Sequence, residues 1–400
     1  MGSDGADPAL AGNAAARGQM ITLPGTARIW ELLPEARMVG GAVRDLLADR
    51  PVADVDFAVP LSPETVMARA REAGLKYVPT GLAHGTVTLL VRGQGFEVTT
   101  LRYDAQTDGR HARVVFTDDW QMDAARRDFT INAMSCAQNG EVFDYFGGQA
   151  DLAAGIVRFV GIARQRITED YLRILRFFRF FARYGQAVPD AAAIAAIAVE
   201  RDGLSGLSAE RIGSEIKKIL QAPAPLAAVR LMQKTGVLAM ILPGSSPDRL
   251  ASLLARGAPA DPLLRLAALT DEDVTGRLRL SHVEDRMLAA WRAPFLIRPD
   301  DDETRLRRAL ADTPSEVLIG QSWLHGGGGA SWQDLRARLT ALKQPVFPLL
   351  GRDLLALGFK AGPEMGALLA SIRRWWWENG CVADKTACLA RLTQIFEKNS

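Results

Sequence analysis

The stretch that most constrains this chain is residues 38–59, where a Gly-Gly pair is followed by an Asp-x-Asp pair. The apolar residues before Gly40 predict the end of a buried strand, and the two glycines allow a tight turn with close approach of the backbone. The residues from Val43 predict a short helix, whose free N–H groups would face a phosphate. Asp54 and Asp56 stand in an apolar run, which predicts a second strand.

The two aspartates predict a metal site. Residues i and i+2 of a strand point to one face, so Asp54 and Asp56 would place two carboxylates side by side. They repel each other unless a cation lies between them, and hard oxygen ligands beside a phosphate site suit Mg²⁺. Arg44 would add a cationic fork for the phosphate. Either motif alone is usually an ordinary turn or cap, but the two together are much more specific.

This combination resembles the nucleotidyltransferase head of the bacterial class II family of tRNA CCA-adding enzymes and poly(A) polymerases, which carries G-G-x-V-R-D followed by D-x-D. The resemblance implies an α+β fold, with a small mixed β-sheet in the head and an all-α neck, body and tail. It implies that C, C and A are added to the 3′ end of tRNA from CTP and ATP. Asp54 and Asp56 would be catalytic and would bind Mg²⁺, and Gly41 and Arg44 would bind the nucleotide.

A second motif lies between Ala125 and Met134. Two arginines, an acid and an amide fit poorly into an ordinary core, although Asp128 could instead cap a helix and pair with Arg126. The family motif R-R-D-F-T-x-N-A matches here without a gap. The resemblance implies that Arg127 contacts the phosphates or sugar of the nucleotide and that Asn132 supports the site.

A third motif lies in a helix predicted from Thr168, as N-cap, to Tyr184. Asp170, Arg173 and Arg176 follow one another along one face, with Arg179 at its edge. Spacing alone favours a solvated, salt-bridged helix. The family pattern E-D-x-x-R-x-x-R-x-x-R matches at every position, however, and reverses that preference.

The chemistry of the bases supports this reversal. Cytosine and adenine each present an amino donor beside a ring-nitrogen acceptor, which complements a carboxylate beside an arginine. Uracil and guanine present a carbonyl beside an N–H, and each unpaired group in a dry site costs ~1–3 kcal/mol. Asp170 and Arg173 are therefore expected to select C and A without a nucleic-acid template. Arg176 and Arg179 remain for phosphates.

Residues 102–111 are polar and without period, which predicts a loop. In CCA-adding members of the family, a similar Arg-x-Asp…Asp-Gly-Arg-His segment is a flexible loop that helps the switch from adding C to adding A, so Arg102, Asp104 and Arg110 are expected to govern that step. His111 alone is more often structural than catalytic. Ala112 stands where the family commonly has proline. Glu97, in a predicted strand, lies either on the wet face or beside the metal.

The length of 400 residues, 48% of them hydrophobic, suggests two to four domains. The net charge of +2 does not mark a nucleic-acid binder, but seven arginines lie between residues 158 and 183. Together with the resemblance, this predicts an arm (1–18), a catalytic head (19–148), a neck with the nucleotide-selecting helix (149–220), a body (221–325) and a tail (326–400). The glycine run 326–329 is expected to be a flexible loop or linker.

Three cysteines form neither a disulfide framework nor a zinc pattern, and no apolar run approaches a membrane span. These features predict a cytoplasmic protein without membrane attachment, whose partners are the tRNA 3′ end, CTP and ATP, with no obligatory protein partner evident. Three alternatives stay open: a poly(A) polymerase, an enzyme that performs part of CCA addition, and a tRNA-binding protein with an inactive head.

Overall fold

The computed structural model describes residues 23–107, 112–186 and 188–399. The chain folds as two compact units that divide between Ile241 and Leu242. The first unit carries the β-structure and the second is helical, so the predicted fold class is confirmed. The finer domain boundaries stay a prediction, and the predicted N-terminal arm lies outside the described residues.

The sheet of the first unit has seven strands among the described residues, in the order β3-β4-β5-β2-β1-β8-β9. Only β2 and β5 are parallel neighbours, so the sheet is mixed as predicted. A separate antiparallel pair is formed by β6 and β7. The strands are β1 (Arg37–Val39), β2 (Asp56–Val59), β3 (Lys76–Gly81), β4 (Thr86–Val91), β5 (Gln94–Thr100), β6 (Arg102–Thr107), β7 (Ala112–Phe116), β8 (Ser135–Cys136) and β9 (Val142–Phe143).

In the first unit, helices and strands are interspersed along the chain up to β9, and the elements that follow β9 are helices. Several begin at residues that suit a helix N-terminus, such as Ser62, Asp119 and Asp190, whose side chains accept backbone N–H bonds. The helices are α1 (Thr26–Leu32), α2 (Gly41–Leu47), α3 (Pro63–Glu72), α4 (Trp120–Ala125), α5 (Gly148–Ala153), α6 (Ala163–Glu169), α7 (Leu172–Tyr184), α8 (Ala191–Glu200), α9 (Ala209–Gln221), α10 (Pro225–Lys234) and α11 (Val237–Ile241).

The core of the head fixes the strand that carries the second aspartate. Phe57 and Val59 of β2 are fully buried, and the Phe57 ring meets Trp30 edge-on at 5.3 Å. Asp56 is the exposed first residue of the same strand. Because the rest of β2 is held in the core, the Asp56 carboxylate is held at the N-terminal end of this central strand.

Two predicted elements are corrected at their N-termini. Asp54 is not in the strand, because β2 begins at Asp56, where the partner strand β1 gives way to the glycine turn. The helix predicted from Thr168 is two helices, α6 and α7, and Thr168 lies in the last turn of α6. Asp170 breaks the helix because its backbone is extended and its Oδ1 accepts from the Leu172 N–H at 3.1 Å.

The loop predicted over 102–111 is also wrong for 102–107, which form β6. The polar sequence gave no period, but β7 supplies a hydrogen-bonding partner, with Tyr103 opposite Val115. Such a two-stranded ribbon is decided by cross-strand pairing rather than by burial of one face. Arg110 and His111 lie outside the described residues.

The second unit is a set of helices with two apolar clusters of its own. Trp376, the middle residue of the Trp375–Trp377 run, is buried in one of them and packs in its core. The helices are α12 (Pro247–Ala255), α13 (Pro262–Leu269), α14 (Thr275–Leu278), α15 (His282–Arg292), α16 (Glu303–Asp312), α17 (Ser315–His325), α18 (Ala330–Ala341), α19 (Gly351–Ala356), α20 (Pro363–Glu378) and α21 (Lys385–Asn399).

The glycine run 326–329 is a loop between α17 and α18, as expected, but it is packed closely against neighbouring residues. A Cβ atom at Gly327 would lie 2.7 Å from the Trp332 ring, and the Gly327 carbonyl accepts from Arg336 at 2.6 Å. The glycines are needed here because ring and backbone approach too closely for a side chain.

Candidate active site

The turn between β1 and α2 requires glycine at its first position. Gly40 has φ 65° and ψ −122°, and a Cβ atom there would lie 3.1 Å from Nη1 of Arg127. Gly41 begins α2, so its N–H is among the first-turn donors that have no partner within the helix. The turn therefore brings free N–H groups and an arginine to one place.

Three carboxylates meet beside this turn. Asp56 lies opposite Glu97 in the parallel pair β2–β5. Burial raises the pKa of Asp56, the negative charges of Glu97 and Asp54 raise it further, and Arg127 opposes them. Asp54 and Asp56 are thus brought together as predicted, although Asp54 reaches the site from the loop rather than from the strand.

This donor set fits a divalent cation. Within the described residues, no three His, Cys, Asp or Glu side chains are placed as a ready-made metal site. Mg²⁺, however, is usually bound by one or two carboxylates and completes its octahedron with waters and substrate phosphates. Desolvation and then the charges of Glu97 and Asp54 raise the pKa of Asp56, and a bound cation would offset both effects.

Arg127 is held at the edge of the site by the preceding helix. Its Nη2 pairs with Asp123 at 3.2 Å, and Asp123 also receives Nε of Arg126 at 2.8 Å. The Arg127 side chain remains one-fifth exposed, beside Gly40. An incoming phosphate can therefore reach a guanidinium whose position is fixed. Sequence reasoning missed Asp123 because an acid four residues before an arginine is common in helices.

Arg44 is buried and serves first to connect elements. Its Nη1 donates to Asn132 Oδ1 at 2.5 Å, and its Nε donates to Asp45 at 3.0 Å. Asn132 donates in turn to Asp128, whose carboxylate receives Nε of Arg176 at 2.6 Å. This chain of contacts ties α2, the R-R-D-F-T-x-N-A segment and α7 together.

Asp170 and Arg173, the predicted base-selecting pair, each bind another partner in this structure. Asp170 forms a bidentate contact with Arg211 of α9, at 2.8 and 3.1 Å from Nη2. Arg173 pairs with Glu169 and donates to the Arg126 carbonyl at 3.2 Å. Both ends of the Asp170–Arg211 pair are about one-third or more exposed, and such pairs contribute about 0–1 kcal/mol, so a base can displace it at little cost.

Arg179 lies two turns further along α7 and turns to a different partner, Glu215 of α9, at 2.6 Å. The structure therefore groups Asp54, Asp56, Gly41 and Arg127 on one side and Asp170 and Arg173 on the other. Arg44 and Arg176 connect the two groups, and Arg179 lies beyond them. Sequence analysis also missed the contact of Arg211 with Asp170, because 41 residues separate the two.

Two family descriptions match this chain. Residues 36–158 match the Poly A polymerase head domain, and residues 190–248 match a probable RNA- and SrmB-binding site of polymerase A. The first range contains the glycine turn, the carboxylates and Arg127. Within the described residues, no helix is long and apolar enough to span a membrane.

Full-length relatives extend the match. The mitochondrial CCA tRNA nucleotidyltransferase 1 of Mus musculus is 38% identical over 380 residues, covering 89% of this chain and 86% of the relative. The CCA-adding enzyme of Geobacillus stearothermophilus is 34% identical over 349 residues, covering 85% and 83%. The solved structure of the Bacillus stearothermophilus CCA-adding enzyme in complex with CTP aligns with a TM-score of 0.72, 27% identity and coverage of 95% and 100%.

A mixed sheet with a carboxylate pair beside a glycine turn, followed by helices, defines a nucleotidyltransferase head with its helical extension. The chain belongs to the family of tRNA CCA-adding enzymes and poly(A) polymerases.

Proposed function

We infer that the protein adds C, C and A to the 3′ end of tRNA, using CTP and ATP and no nucleic-acid template. The observation that carries this proposal is that one compact unit holds both the carboxylates around Asp56 and the Asp170–Arg173 segment, and that Arg173 binds the carbonyl of Arg126, the residue before Arg127. The relatives named as CCA-adding enzymes, and the CTP complex of one of them, support the same reaction.

We propose that Asp54 and Asp56 are the catalytic carboxylates and hold Mg²⁺. When bound, the metal would activate the RNA 3′-hydroxyl and neutralise the triphosphate and the leaving pyrophosphate. The N–H of Gly41, in the first turn of α2, and the partly exposed guanidinium of Arg127 would hold phosphate oxygens. Glu97 lies opposite Asp56 in the neighbouring strand, and its charge adds to the repulsion that a cation would relieve.

Asp170 and Arg173 would select the base. The Asp170 carboxylate accepts from the amino group of C or A, and Arg173 donates to the neighbouring ring nitrogen. Arg44 and Arg176 hold the two halves of the site in register through Asn132 and Asp128. Positioning and neutralisation of charge then supply most of the catalysis.

The reaction is tested with tRNAs that lack A, CA or CCA. Each is incubated with one labelled nucleotide at a time and with CTP and ATP together, and the 3′ ends are sequenced. We expect each tRNA to be restored to CCA and no further. Runs of A would identify a poly(A) polymerase, and addition of only CC or only A would identify a partial enzyme. No incorporation from either nucleotide would overturn the proposal.

We also propose that the protein works in a reducing compartment, the cytoplasm. All three cysteines are buried and free, which is what a reducing environment maintains. Relatives carry mitochondrial names, so imaging of a fluorescent fusion decides between the two compartments.

A further inference from the structure

A cationic cavity of about 590 Å³ lies in the first unit, and none of the active-site carboxylates lines it. Four basic side chains from three elements line it, and none of them comes from the glycine turn or the Asp-x-Asp segment. Its lining residues are Arg50, Arg179, Arg183, Lys218, Gln221, Ala222 and Pro223. We call it the basic cavity.

The basic cavity carries an excess of positive charge. Within the described residues, the carboxylate that contacts its cations is Glu215, which accepts from Arg179 at 2.6 Å and lies 3.6 Å from Lys218 Nζ. Four cations against one carboxylate leave three positive charges. Burial lowers the pKa of Arg179, and the nearby charge of Arg176 lowers it further against the opposing effect of Glu215. An anion in the cavity would relieve this crowding.

Aromatic rings and a backbone carbonyl, rather than carboxylates, hold two of these arginines. The guanidinium of Arg50 lies 4.8 Å from the centre of the Tyr184 ring, and that of Arg183 lies 5.7 Å from the same ring. Arg50 Nη2 also donates to the Arg183 carbonyl at 2.8 Å. No ion pair joins Arg50 or Arg183 to a carboxylate in the part of the chain that the structure describes. Their remaining N–H donors are therefore pre-positioned for incoming oxygens.

We propose that the basic cavity binds backbone phosphates of the tRNA substrate. Guanidinium groups suit phosphate oxygens, and RNA helices are recognised mainly through phosphate and sugar contacts. The cavity is too large for one phosphate, and Arg183 and Lys218 are exposed at its rim, which fits an extended polyanion better than an enclosed small one. The inference rests on the proposed function, because it takes tRNA as the substrate.

The basic cavity is also joined to the active site by one side chain. The hydroxyl of Tyr184 donates to Asp45, and Asp45 pairs with Arg44 at 3.0 Å. The Arg44 guanidinium lies 4.7 Å from the centre of the same Tyr184 ring. A backbone phosphate held at Arg50 and Arg183 would therefore lie at a fixed distance from the helix that carries the catalytic turn.

The test uses the full-length variants Arg183→Ala and Lys218→Ala and their double mutant. Affinity for a tRNA lacking CCA is measured between 50 and 200 mM salt, together with the KM values for tRNA and CTP. The plot of log K against log[salt] has a negative slope, and each lost phosphate contact should make it shallower by about 0.9. Each single variant should bind tRNA about 3-fold more weakly at low salt. The double mutant should bind it about 10-fold more weakly. The KM for CTP should not change.

Two matched controls should keep the wild-type slope. Arg183→Lys keeps the charge, and Lys234→Ala removes an exposed lysine outside the cavity. Thermal unfolding of each variant shows whether it is folded. An unchanged slope and affinity in the folded double mutant would overturn the proposal. A loss of affinity for inorganic pyrophosphate with unchanged tRNA binding would overturn it too, by marking a small-anion site. Failure of the wild type to extend tRNA would instead refute the proposed function, since the binding slopes are measured without catalysis.

Discussion

At the scale of single residues, the site is built from charges that are unfavourable until a ligand arrives. Asp56 sits beside two other carboxylates, and both their charge and its burial disfavour its ionised form. Asp170 and Arg173 are held by other partners that a base must replace. A site with such unfavourable charges lowers the free energy of unfolding of the ligand-free protein. Measurements of stability can therefore test the site independently of activity.

Asp56→Asn should abolish nucleotidyl transfer and raise the unfolding temperature. Its folded-state pKa lies above the unfolded value of 3.8, so ionisation of Asp56 destabilises the metal-free protein as the pH rises above 3.8, and the penalty is complete above the folded-state pKa. The variant removes this penalty near pH 7, and the two unfolding temperatures should converge as the pH falls toward 4. Transfer should drop by more than about 100-fold, since even indirect metal partners are worth 10- to 100-fold.

Scanning calorimetry with and without Mg²⁺ checks this prediction. Mg²⁺ should stabilise the wild type and leave Asp56→Asn unaffected, and Asp54→Ala should likewise lose transfer while keeping tRNA binding. Near-normal transfer by either variant in Mg²⁺ would remove these aspartates from the chemistry.

Asp170→Ala should reduce incorporation of C and A and weaken discrimination against U and G. The variant removes the acceptor that penalises a carbonyl, which is worth ~1–3 kcal/mol, or about 5- to 150-fold in preference. Competition between CTP and UTP in single-turnover extension measures the ratio. Arg211→Ala is the matched control, because it breaks the same ion pair but keeps the carboxylate. If Asp170→Ala kept wild-type discrimination, Asp170 would not select the base, and the charged residues of this segment would serve only in ion pairs.

At the scale of elements, α7 is the helix that contacts several of the segments around the site through its arginines. Its apolar residues, among them Phe177 and Phe178, are fully buried, and its arginines reach three different segments. Arg176 joins α7 to the head through Asp128. Burial alone would raise the pKa of Asp128, but the charge of Arg176 and hydrogen bonds from Asn132, Arg176 and the Phe129 N–H hold it below its ordinary value.

Asp128→Asn should therefore destabilise the first unit by up to about 3 kcal/mol near pH 7, the low end for a broken buried pair because Arg176 is one-third exposed. A depressed folded-state pKa means that this stabilisation is complete above the unfolded value of 3.8 and disappears as the pH falls through the folded one. Urea unfolding at several pH values measures it. The difference between wild type and variant should shrink below about pH 4, and a constant difference would contradict the assignment.

The β6–β7 hairpin gives the second prediction at this scale. Deletion of residues 106–109 removes the end of β6 and part of the segment that joins it to β7, while Tyr103 and Val115 keep their pairing. Elements of this kind commonly complete a site by moving, so CC addition should persist and addition of the final A should fall. Stepwise extension of tRNAs lacking CCA and lacking A measures the two steps. Equal loss of both would show that the hairpin is merely structural.

At the scale of the whole molecule, the residues proposed to be catalytic or base-selecting all belong to the unit that ends at Ile241. The second unit holds its own apolar clusters and contributes none of the predicted site residues. A small ligand that binds at the site should therefore act on one unit, and its effect can be mapped along the chain.

CTP with Mg²⁺ should slow hydrogen exchange in residues 38–59 and 168–184 and leave residues 242–400 nearly unchanged. Saturation at 100 times Kd stabilises the state that binds by about 2.7 kcal/mol, and exchange that requires opening of that unit slows accordingly. Mass spectrometry of deuterated peptides measures this, with GTP as the control ligand. Equal protection along the whole chain would contradict a site confined to the first unit.

The sequence by itself determined the local chemistry. Gly40 and Gly41 determine a turn, and the short spacing of Gly41, Arg44, Asp54 and Asp56 leaves little room for another arrangement of phosphate and metal donors. The mixed sheet followed by helices could be predicted from the motifs that match this family. The start of β2, the break at Asp170 and the β6 strand could not, because strand partners and helix ends depend on contacts outside their own segment.

Only the tertiary structure decided which acid meets which arginine. Arg211 reaches Asp170 across 41 residues, Arg176 reaches Asp128 across 48, and Arg179 reaches Glu215 across 36. Each arginine has acids nearer in sequence, and long side chains pair with whichever carboxylate the packing brings within reach. The apolar side of α7 sets that packing. For this reason the seven arginines between residues 158 and 183 do not form one patch: six of them pair with carboxylates in different segments, and Arg183 lines the basic cavity.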